Sequence, residues 1–221
     1  MKKFLFLALV AFVASSCSDD DKKSNFALGI KGSKATLKST VASDIKVNSF
    51  TFVANEVEFE LDSDPTNPGF VPDEVEYKGP FIVNLVENGV LQTLTLPATT
   101  LPIGPVEEVE FELENDPTLA ATHPMANKAI MIKGTYKGAE FTLFESILPG
   151  KDQEIEIEYE TPEDKVVLTD AVTVLDIQMN IDKIVADIAA TLDFATLDLT
   201  KPIEVKNLAA IIEKNSSLNK R

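Results

Sequence analysis

Cysteine and histidine, which supply thiol nucleophiles, imidazole bases and most zinc ligands, are nearly absent from this chain of 221 residues, in which Cys17 and His123 are the sole cysteine and the sole histidine. Serine or cysteine catalysis needs a base beside the nucleophile, and a zinc site needs several His or Cys ligands. The Thr-His-Pro context of His123 predicts a solvated loop. The sequence therefore predicts neither nucleophilic catalysis nor a metal centre.

Cys17 directly follows a leader that has three parts. Lys2 and Lys3 form a positive start, the ten residues 4–13 are all apolar, and residues 14–16 are small. This order is typical of a secretory signal peptide, and ten apolar residues are too few to span a bilayer. Small residues before a lone cysteine resemble the lipobox of bacterial lipoproteins. The resemblance implies that residues 1–16 are removed and that Cys17 becomes an acylated N-terminus, its partner being membrane lipid.

The residues after Cys17 are polar and acidic. Ser18, Asp19, Asp20 and Asp21 resemble the export signal that sends Bacteroidetes lipoproteins to the outer face of the outer membrane, although a solvated charge run is compatible with the same residues. Residues 17–25 show no apolar periodicity, so we expect a flexible tether with an r.m.s. reach of about 16 Å. The predicted location is the outer membrane, lipid-anchored and exposed at the cell surface.

The charge of the chain restricts its partners. Without Lys2 and Lys3 the mature chain has 18 basic and 36 acidic residues, a formal net charge of −18. Such a chain repels nucleic acid and anionic lipid headgroups. The sequence therefore predicts no nucleic-acid partner, and it contains no glycine-rich phosphate loop that would indicate a nucleotide cofactor.

Carboxylates are abundant but have no catalytic pattern. A glycosidase needs two carboxyl groups in a cleft that separates their pKa values, whereas the acidic residues here alternate with apolar ones along strands. The chain has no Trp, which disfavours a sugar-stacking cleft. Possible oxygen ligands for calcium also occur in one loop, at Asp62, Asp64, Asn67 and Asp73, and in a similar sister loop, at Glu114 and Asp116. Their spacing is not that of a calcium-binding loop. We therefore interpret both loops as solvated.

Alternation with a period of two predicts an all-β fold. At the end of the run 46–61, and again in residues 107–113, apolar and acidic side chains alternate, as in strands with one buried face. Similar runs at 26–30, 35–41, 75–77, 81–86, 90–96, 129–136, 139–146, 154–160 and 166–174 are separated by turn signals at 31–33, 78–80, 88–89, 137–138 and 148–150. We predict an antiparallel β-sandwich, immunoglobulin- or transthyretin-like, as a single domain over residues 26–221.

The period changes to that of a helix near the C-terminus. Apolar residues recur at helical spacing from Ile181 to Leu192, with Asn180 or Asp182 as N-cap. Residues 207–214 form a second short helical candidate, and we expect the polar tail after them to fray. One or two short helices should therefore follow the strands.

Three acidic combs project from the predicted strands, each a glutamate at every second position. They are Glu56-Glu58-Glu60, Glu108-Glu110-Glu112 and Glu154-Glu156-Glu158. Like charges opposite each other on neighbouring strands destabilise a sheet, so the sheet must either separate the combs with neutral or Lys-bearing strands such as residues 129–137 or gather divalent cations between them. We expect separation. On that expectation calcium stabilises the protein no more than sodium chloride of equal ionic strength. The similarity of residues 56–66 and 108–118 is interpreted as convergence on a strand-and-turn pattern.

The chain as a whole resembles a family of Bacteroidetes lipoproteins that carry one β-sandwich domain behind a lipobox cysteine and have no agreed activity. The resemblance rests on the order of several short segments: SFTF at 49–52, EVEF at 56–59, GPFIVNL at 79–85, LPIG at 101–104, VEF at 109–111, and KGTY at 133–136 followed by Gly138 and Phe141. It implies a fold and a cellular location, and no catalytic residue.

The predicted function is that of a surface-exposed, lipid-anchored and non-enzymatic module for binding or adhesion. The ligand is either an extracellular protein or a glycan, and the sequence does not distinguish the two. No cofactor or metal is expected. The alternative is a structural, fimbria-like subunit that assembles by exchanging strands. A monomer in size-exclusion chromatography would favour binding, and a ladder of polymers would favour assembly.

Overall fold

Two stacked β-sheets followed by two short helices make up the part of the chain that the computed structural model describes, namely residues 23–33, 44–62, 74–95, 99–102, 104–151, 153–158, 167–168 and 173–220. The predicted all-β sandwich with short C-terminal helices is confirmed. The helices are α1 (Ile181–Thr191) and α2 (Leu208–Lys214). The strands are β1 (Lys23–Ser33), β2 (Ile45–Leu61), β3 (Glu74–Glu87), β4 (Val90–Leu91), β5 (Thr93–Thr95), β6 (Thr99–Pro102), β7 (Val106–Leu113), β8 (Ile130–Tyr136), β9 (Ala139–Glu145), β10 (Gln153–Glu158), β11 (Thr173–Asn180), β12 (Ile203–Glu204) and β13 (Ser216–Lys220).

The strand order brings distant parts of the chain together. The smaller sheet has the order β13-β11-β1-β5, with β6 also on β1, and the larger has the order β10-β7-β2-β8-β9-β12, with β3 on β2 and β4 on β3. Most neighbours are antiparallel, but β1 pairs with β11 and β12 pairs with β9 in parallel. The long β2 therefore pairs with β3 along one edge, and along its other edge with β8 first and then with β7.

The predicted core residues lie between the sheets. The apolar positions of the two clearest alternating strands are all at most 4% exposed and belong to one cluster: Val57, Phe59, Leu61, Val109, Phe111 and Leu113. Residues of the smaller sheet, such as Ile30 and Ile177, complete this cluster from the other side. The period-two pattern thus identified the buried face of both strands correctly.

A second, smaller apolar cluster lies on the outer face of the larger sheet. Val53, Met125 and Met131 are buried there, and Ile82 and Leu119 pack against them. Met125 and Leu119 belong to the segment between β7 and β8, which folds back over the sheet. This cover explains why Val53 and Met131 are apolar although they point away from the main core.

Two of the predicted turns are wrong, because both segments lie inside strands. At residues 31–33 β1 continues, and Gly32 pairs with Met179. A Cβ on Gly32 would come within 2.8 Å of the Leu91 side chain, so the absence of a side chain at this position lets Leu91 pack closely against β1. At residues 78–80 β3 continues through a β-bulge, since Gly79 and Pro80 face the single residue Asn55.

The Asn88-Gly89 hairpin is confirmed, with φ values of 51° and 75° that suit these residue types. The strand predicted after it, at 90–96, is divided. Residues 90–91 pair with β3 in the larger sheet, whereas residues 93–95 pair with β1 in the smaller one. The chain therefore crosses from one sheet to the other at this point.

The helical predictions are confirmed, and the prediction for the tail is wrong. Asn180 caps α1, its side-chain oxygen accepting a hydrogen bond from the Lys183 N–H at 3.1 Å. The tail forms β13, which pairs with β11 instead of fraying. At the other end β1 begins at Lys23, inside the segment predicted as a tether. The predictions for residues 35–41, 63–73 and 169–172 lie outside the described residues.

A buried ion pair occupies the centre of the smaller sheet. Asp176 on β11 is 1% exposed, and its carboxylate accepts a hydrogen bond from the Lys31 ammonium at 2.9 Å. Gly29 pairs with Asp176, and a Cβ at this glycine would collide with the carboxylate. Gly29 therefore leaves the space in which the buried carboxylate is held.

A buried carboxylate also holds the start of α2. Glu145 is 4% exposed, and its oxygens accept hydrogen bonds from the N–H groups of Asn207 at 2.8 Å and Ala209 at 3.2 Å. The residue at the N-cap position, Asn207, makes no side-chain cap bond of its own. Glu145 on β9 thus caps the N-terminus of α2 in place of a local side chain.

We expect Glu145→Ala to lower the free energy of unfolding by about 1 kcal/mol, the usual loss on removing a helix cap. Glu145→Gln should lose less, because the amide oxygen can still accept one of the two bonds. Urea denaturation of both variants measures the difference. Equal losses in the two variants would show that packing, and not the capping bonds, is what this residue contributes.

Candidate functional site

The acidic combs lie side by side on the outer face of the larger sheet. At this end of the sheet the strands run in the order β10-β7-β2-β3, and their outward residues form three cross-strand rows of four. The rows are Glu154-Glu112-Glu56-Lys78, Glu156-Glu110-Glu58-Glu76 and Glu158-Glu108-Glu60-Glu74. We call these eleven glutamates and one lysine the acidic face.

The prediction that neutral or Lys-bearing strands separate the combs is therefore wrong. The reason lies on the opposite face of the same strands. Val57, Phe111 and Ile155 stand in one row, and they pack into the core together. Because side chains alternate with a period of two, a register that aligns the apolar faces also aligns the outward glutamates. Burial of the apolar row outweighs the repulsion of the carboxylates.

The crowding of carboxylates changes their protonation. Burial, and then the neighbouring carboxylates of β10 and β2, raise the pKa of Glu108 and of Glu110 to about 7. Burial and the charges of Glu74, Glu60, Glu76 and Glu56 raise the pKa of Glu58 as well. The middle of the acidic face is thus partly protonated near neutral pH.

Lys78 relieves one corner of the acidic face. Its ammonium donates hydrogen bonds to both oxygens of Glu56 at 2.9 Å and lies 2.9 Å from a carboxylate oxygen of Glu76. Hydrogen bonds to Glu56 and then to Glu76 raise the Lys78 pKa, and the hydrogen bond from Lys78 lowers the pKa of Glu76. The relief extends only to Glu76 at the edge of the next row, since the rows of Glu110 and Glu108 contain no cation of their own.

Two groups of three glutamates on the acidic face bring carboxylate oxygens within 4.8 Å of one another: Glu58, Glu60 and Glu74, and Glu108, Glu110 and Glu156. Ca²⁺ takes six to eight oxygen ligands. A pleated sheet offers carboxylates from one side of an ion only, and exposed acidic groups of this kind are common without an ion. Each group therefore brings three ligand atoms together, fewer than the six to eight that Ca²⁺ takes.

The acidic loop that follows β7 differs from the solvated loop expected. Asp116 is 6% exposed and accepts hydrogen bonds from the Thr118 N–H at 2.8 Å and the Thr118 hydroxyl at 2.6 Å. Its carboxylate is thus used to close a turn. Of the loop that follows β2, Asp62 is described and donates its N–H to the Pro105 carbonyl, whereas Asp64, Asn67 and Asp73 lie outside the described residues.

His123 is half-buried and more ordered than a solvated loop residue. The Met125 N–H donates a hydrogen bond to its Nδ1 at 3.2 Å, within the segment that covers the outer apolar cluster. This bond occupies the nitrogen lone pair that a base or a metal ligand would use. Cys17 and the export-signal residues Ser18, Asp19, Asp20 and Asp21 lie outside the described residues.

A second candidate site, which the sequence reading missed, is an open trough of about 950 Å³ on the outer face at the other end of β2. We call it the polar trough. One wall is the turn between β3 and β4, and the other is the segment before β12. Its lining residues are Asn48, Ser49, Glu87, Asn88, Lys133, Gly134, Ala139, Glu140, Phe141, Thr142, Leu199, Thr200, Lys201 and Pro202.

The floor of the polar trough is a cross-strand row of three polar residues. Ser49 on β2 pairs with Lys133 on β8, which pairs with Thr142 on β9. All three are half-buried, and within the described part of the chain their side chains make no hydrogen bond or ion pair. Lys133 is thus a half-buried lysine whose ammonium has no partner among the described residues.

No model of a known protein family, no curated protein and no solved structure matches this chain. Among the described residues, no helix is both long enough and apolar enough to cross a membrane.

Proposed function

We propose that this protein is a lipid-anchored, surface-exposed binding module that does not catalyse a reaction. The observation that carries the proposal is the polar trough, with its row of half-buried and unpartnered polar side chains at Ser49, Lys133 and Thr142. Its volume of about 950 Å³ falls within the range of small-molecule sites. Side chains that make no hydrogen bond to the described residues are available to a ligand.

Binding is preferred to catalysis because the polar trough lacks a catalytic constellation. Among the described residues no base is hydrogen-bonded to the Ser49 hydroxyl, and the one histidine of the chain accepts a hydrogen bond within a turn outside the trough. General acid–base work requires a positioned donor or acceptor of suitable pKa. The lining groups instead resemble the few polar contacts that fix a bound molecule.

Anchoring at the cell surface is supported by the sequence of the first 21 residues. The apolar leader, the small residues before Cys17 and the acidic run after it have the order of a lipoprotein signal. A multiply acylated cysteine gives a durable anchor, whereas one acyl chain does not. A sandwich tethered in this way would meet extracellular ligands.

Replacing Cys17 by alanine should release the protein from membranes, because the thioether to lipid can no longer form. Fractionation of cells that express the wild type and the Cys17→Ala variant measures this. Ser16→Ala is the matched control, since it keeps the small residue before the cysteine and should remain membrane-bound. Protease added to intact cells should digest the wild type.

Two results would contradict the anchor or the topology. A Cys17→Ala variant that stays in the membrane fraction would exclude lipid attachment at this residue. Complete protection of the wild type in intact cells, together with digestion after lysis, would place the domain on the inner side.

A further inference from the structure

We infer that the polar trough binds an oligosaccharide that carries an anionic group, with that group on the Lys133 ammonium. The inference rests on the proposed binding function and names the ligand class of the same site. The anionic group can be the carboxylate of an acidic sugar or a sulfate ester, since both offer the charged oxygens that an ammonium recognises.

The charge of the ligand follows from Lys133. Its side chain is half-buried in the middle of the trough floor, and the acidic lining residues Glu87 and Glu140 do not reach it within ion-pair distance. The other lysine of the trough, Lys201, already pairs with Asp198 at 3.3 Å. Lys133 is therefore the cation that a bound anion would neutralise.

The acidic face does not prevent an anion from entering the trough. Ser49 and the nearest comb residue of the same strand, Glu56, are seven positions apart, which along an extended strand is roughly 20 Å. Charges at that distance are screened at physiological salt, where the Debye length is about 8 Å. The outer apolar cluster around Val53 lies between the two regions.

The remaining lining groups suit sugar hydroxyls. Ser49 and Thr142 offer hydroxyl groups, and Asn48 and Asn88 offer amides, so each can both donate and accept a hydrogen bond. Sugar hydroxyls have the same dual capacity. A row of such groups beside one ammonium matches a polyhydroxylated ligand that has one charged substituent.

The lining also indicates that the ligand is acidic rather than neutral. Its one aromatic residue, Phe141, is 4% exposed and packs edge-on against Phe194, so its ring presents no stacking platform. Without stacking, most of the affinity has to come from hydrogen bonds. Those to a charged group are the strongest.

The test is an array of matched sugars probed with the full-length protein in detergent. Each neutral oligosaccharide is paired with the version in which one sugar is a uronic acid, and with the version that bears one sulfate. Acidic peptides of equal charge form a further arm. We expect at least one anionic sugar, of either source, to bind about 10-fold or more tightly than its neutral partner.

Variants then assign the contact. Lys133→Gln should remove about 10-fold of the affinity for the anionic sugar and leave the neutral sugar unchanged, whereas Lys133→Arg should retain binding. Lys46→Gln removes an equal charge from the neighbouring row of the same face, outside the trough, and should have no effect. Melting temperatures of the three variants check that each is folded. If Lys133→Gln does not fold, binding of the anionic sugar by Lys133→Arg still tests whether the site needs a positive charge.

Three outcomes would overturn the inference. If neutral and anionic sugars bind equally well, and Asn48→Ala or Thr142→Ala abolishes that binding, the proposed binding function holds but the role of Lys133 is rejected. Acidic peptides that bind through Lys133 more tightly than any sugar would identify a protein partner instead. Absence of any ligand that depends on trough residues would reject the proposed binding function as well.

Discussion

Replacing Phe111 by alanine should lower the free energy of unfolding by about 3–5 kcal/mol, the usual range for a fully buried phenylalanine. Phe111 is 0% exposed and lies at the centre of the main cluster. Its ring packs edge-on against Phe52 with 5.9 Å between centroids, and on its own row it stands between Val57 and Ile155. β7 itself is hydrogen-bonded on both sides, to β10 and to β2, and cannot move into the space left.

Urea denaturation of Phe111→Ala and of a control measures this loss. Val90→Ala removes an apolar side chain that is 61% exposed and should change the unfolding free energy by less than about 0.5 kcal/mol. If Phe111→Ala melts like the wild type, β7 does not contribute to the core as described.

The same residue shows how far the sequence could predict the fold. Phe111 belongs to a strand in which apolar and acidic residues alternate strictly, and this local pattern was enough to assign strand type, length and buried face. The helix after Asn180 and the Asn88-Gly89 hairpin were predictable for the same reason. In each of them the signal lies within a few neighbouring residues.

Features that depend on distant contacts could not be predicted. Gly32 resembles a turn residue in sequence, yet its role is to let Leu91 and the Leu85 carbonyl approach β1. The C-terminal tail, polar in sequence, is held as a strand by its pairing with β11. In both cases the partner is more than thirty residues away, and tertiary contacts outweigh the local signal.

The polar trough was missed for a related reason. Ser49, Lys133 and Thr142 come from three strands, and each alone is an ordinary outward residue of a strand. Only the registers of β2 with β8 and of β8 with β9 place them in one row. The glutamates of the acidic face could be recognised in the sequence as combs. Whether the combs lie beside one another depends on the strand register, which could not be predicted from the local pattern.

The largest expected effect of solution conditions concerns this acidic face. Stability should fall as the pH rises from about 4.5 to about 7. The folded-state pKa of Glu108 and of Glu110 is raised from 4.5 to about 7, so between these values the folded protein holds more protons than the unfolded chain. A state that holds more protons loses stability as the pH increases. Above about pH 7 both carboxylates are ionised and the penalty is complete.

The charges that act on Glu108 and Glu110 come from both adjacent strands and from β7 itself: Glu154, Glu156 and Glu158 on β10, Glu58 and Glu60 on β2, and Glu107 on β7. Because the two carboxylates are partly exposed to screening solvent, we expect a loss of about 2–3 kcal/mol in total. Urea denaturation at half-unit steps from pH 4.5 to pH 8 measures it.

Glu108→Gln/Glu110→Gln should remove most of this loss, since the amides cannot ionise. At pH 8 the double variant should therefore be more stable than the wild type, and its stability should depend less on pH. The control Glu140→Gln/Glu204→Gln changes the net charge equally at two exposed positions of β9 and β12 and should preserve the slope. A wild type whose stability is constant or rises over this range would contradict the repulsion.

Salt provides the last test of the same face. Sodium chloride should raise the melting temperature at pH 8 by screening the three rows, and less so in the double glutamine variant. Because the sheet offers carboxylates from one side only, calcium chloride at equal ionic strength should raise it no further. A calcium-specific rise of several degrees that the double variant loses would show instead that the aligned glutamates coordinate the ion, with Glu108 and Glu110 among its ligands.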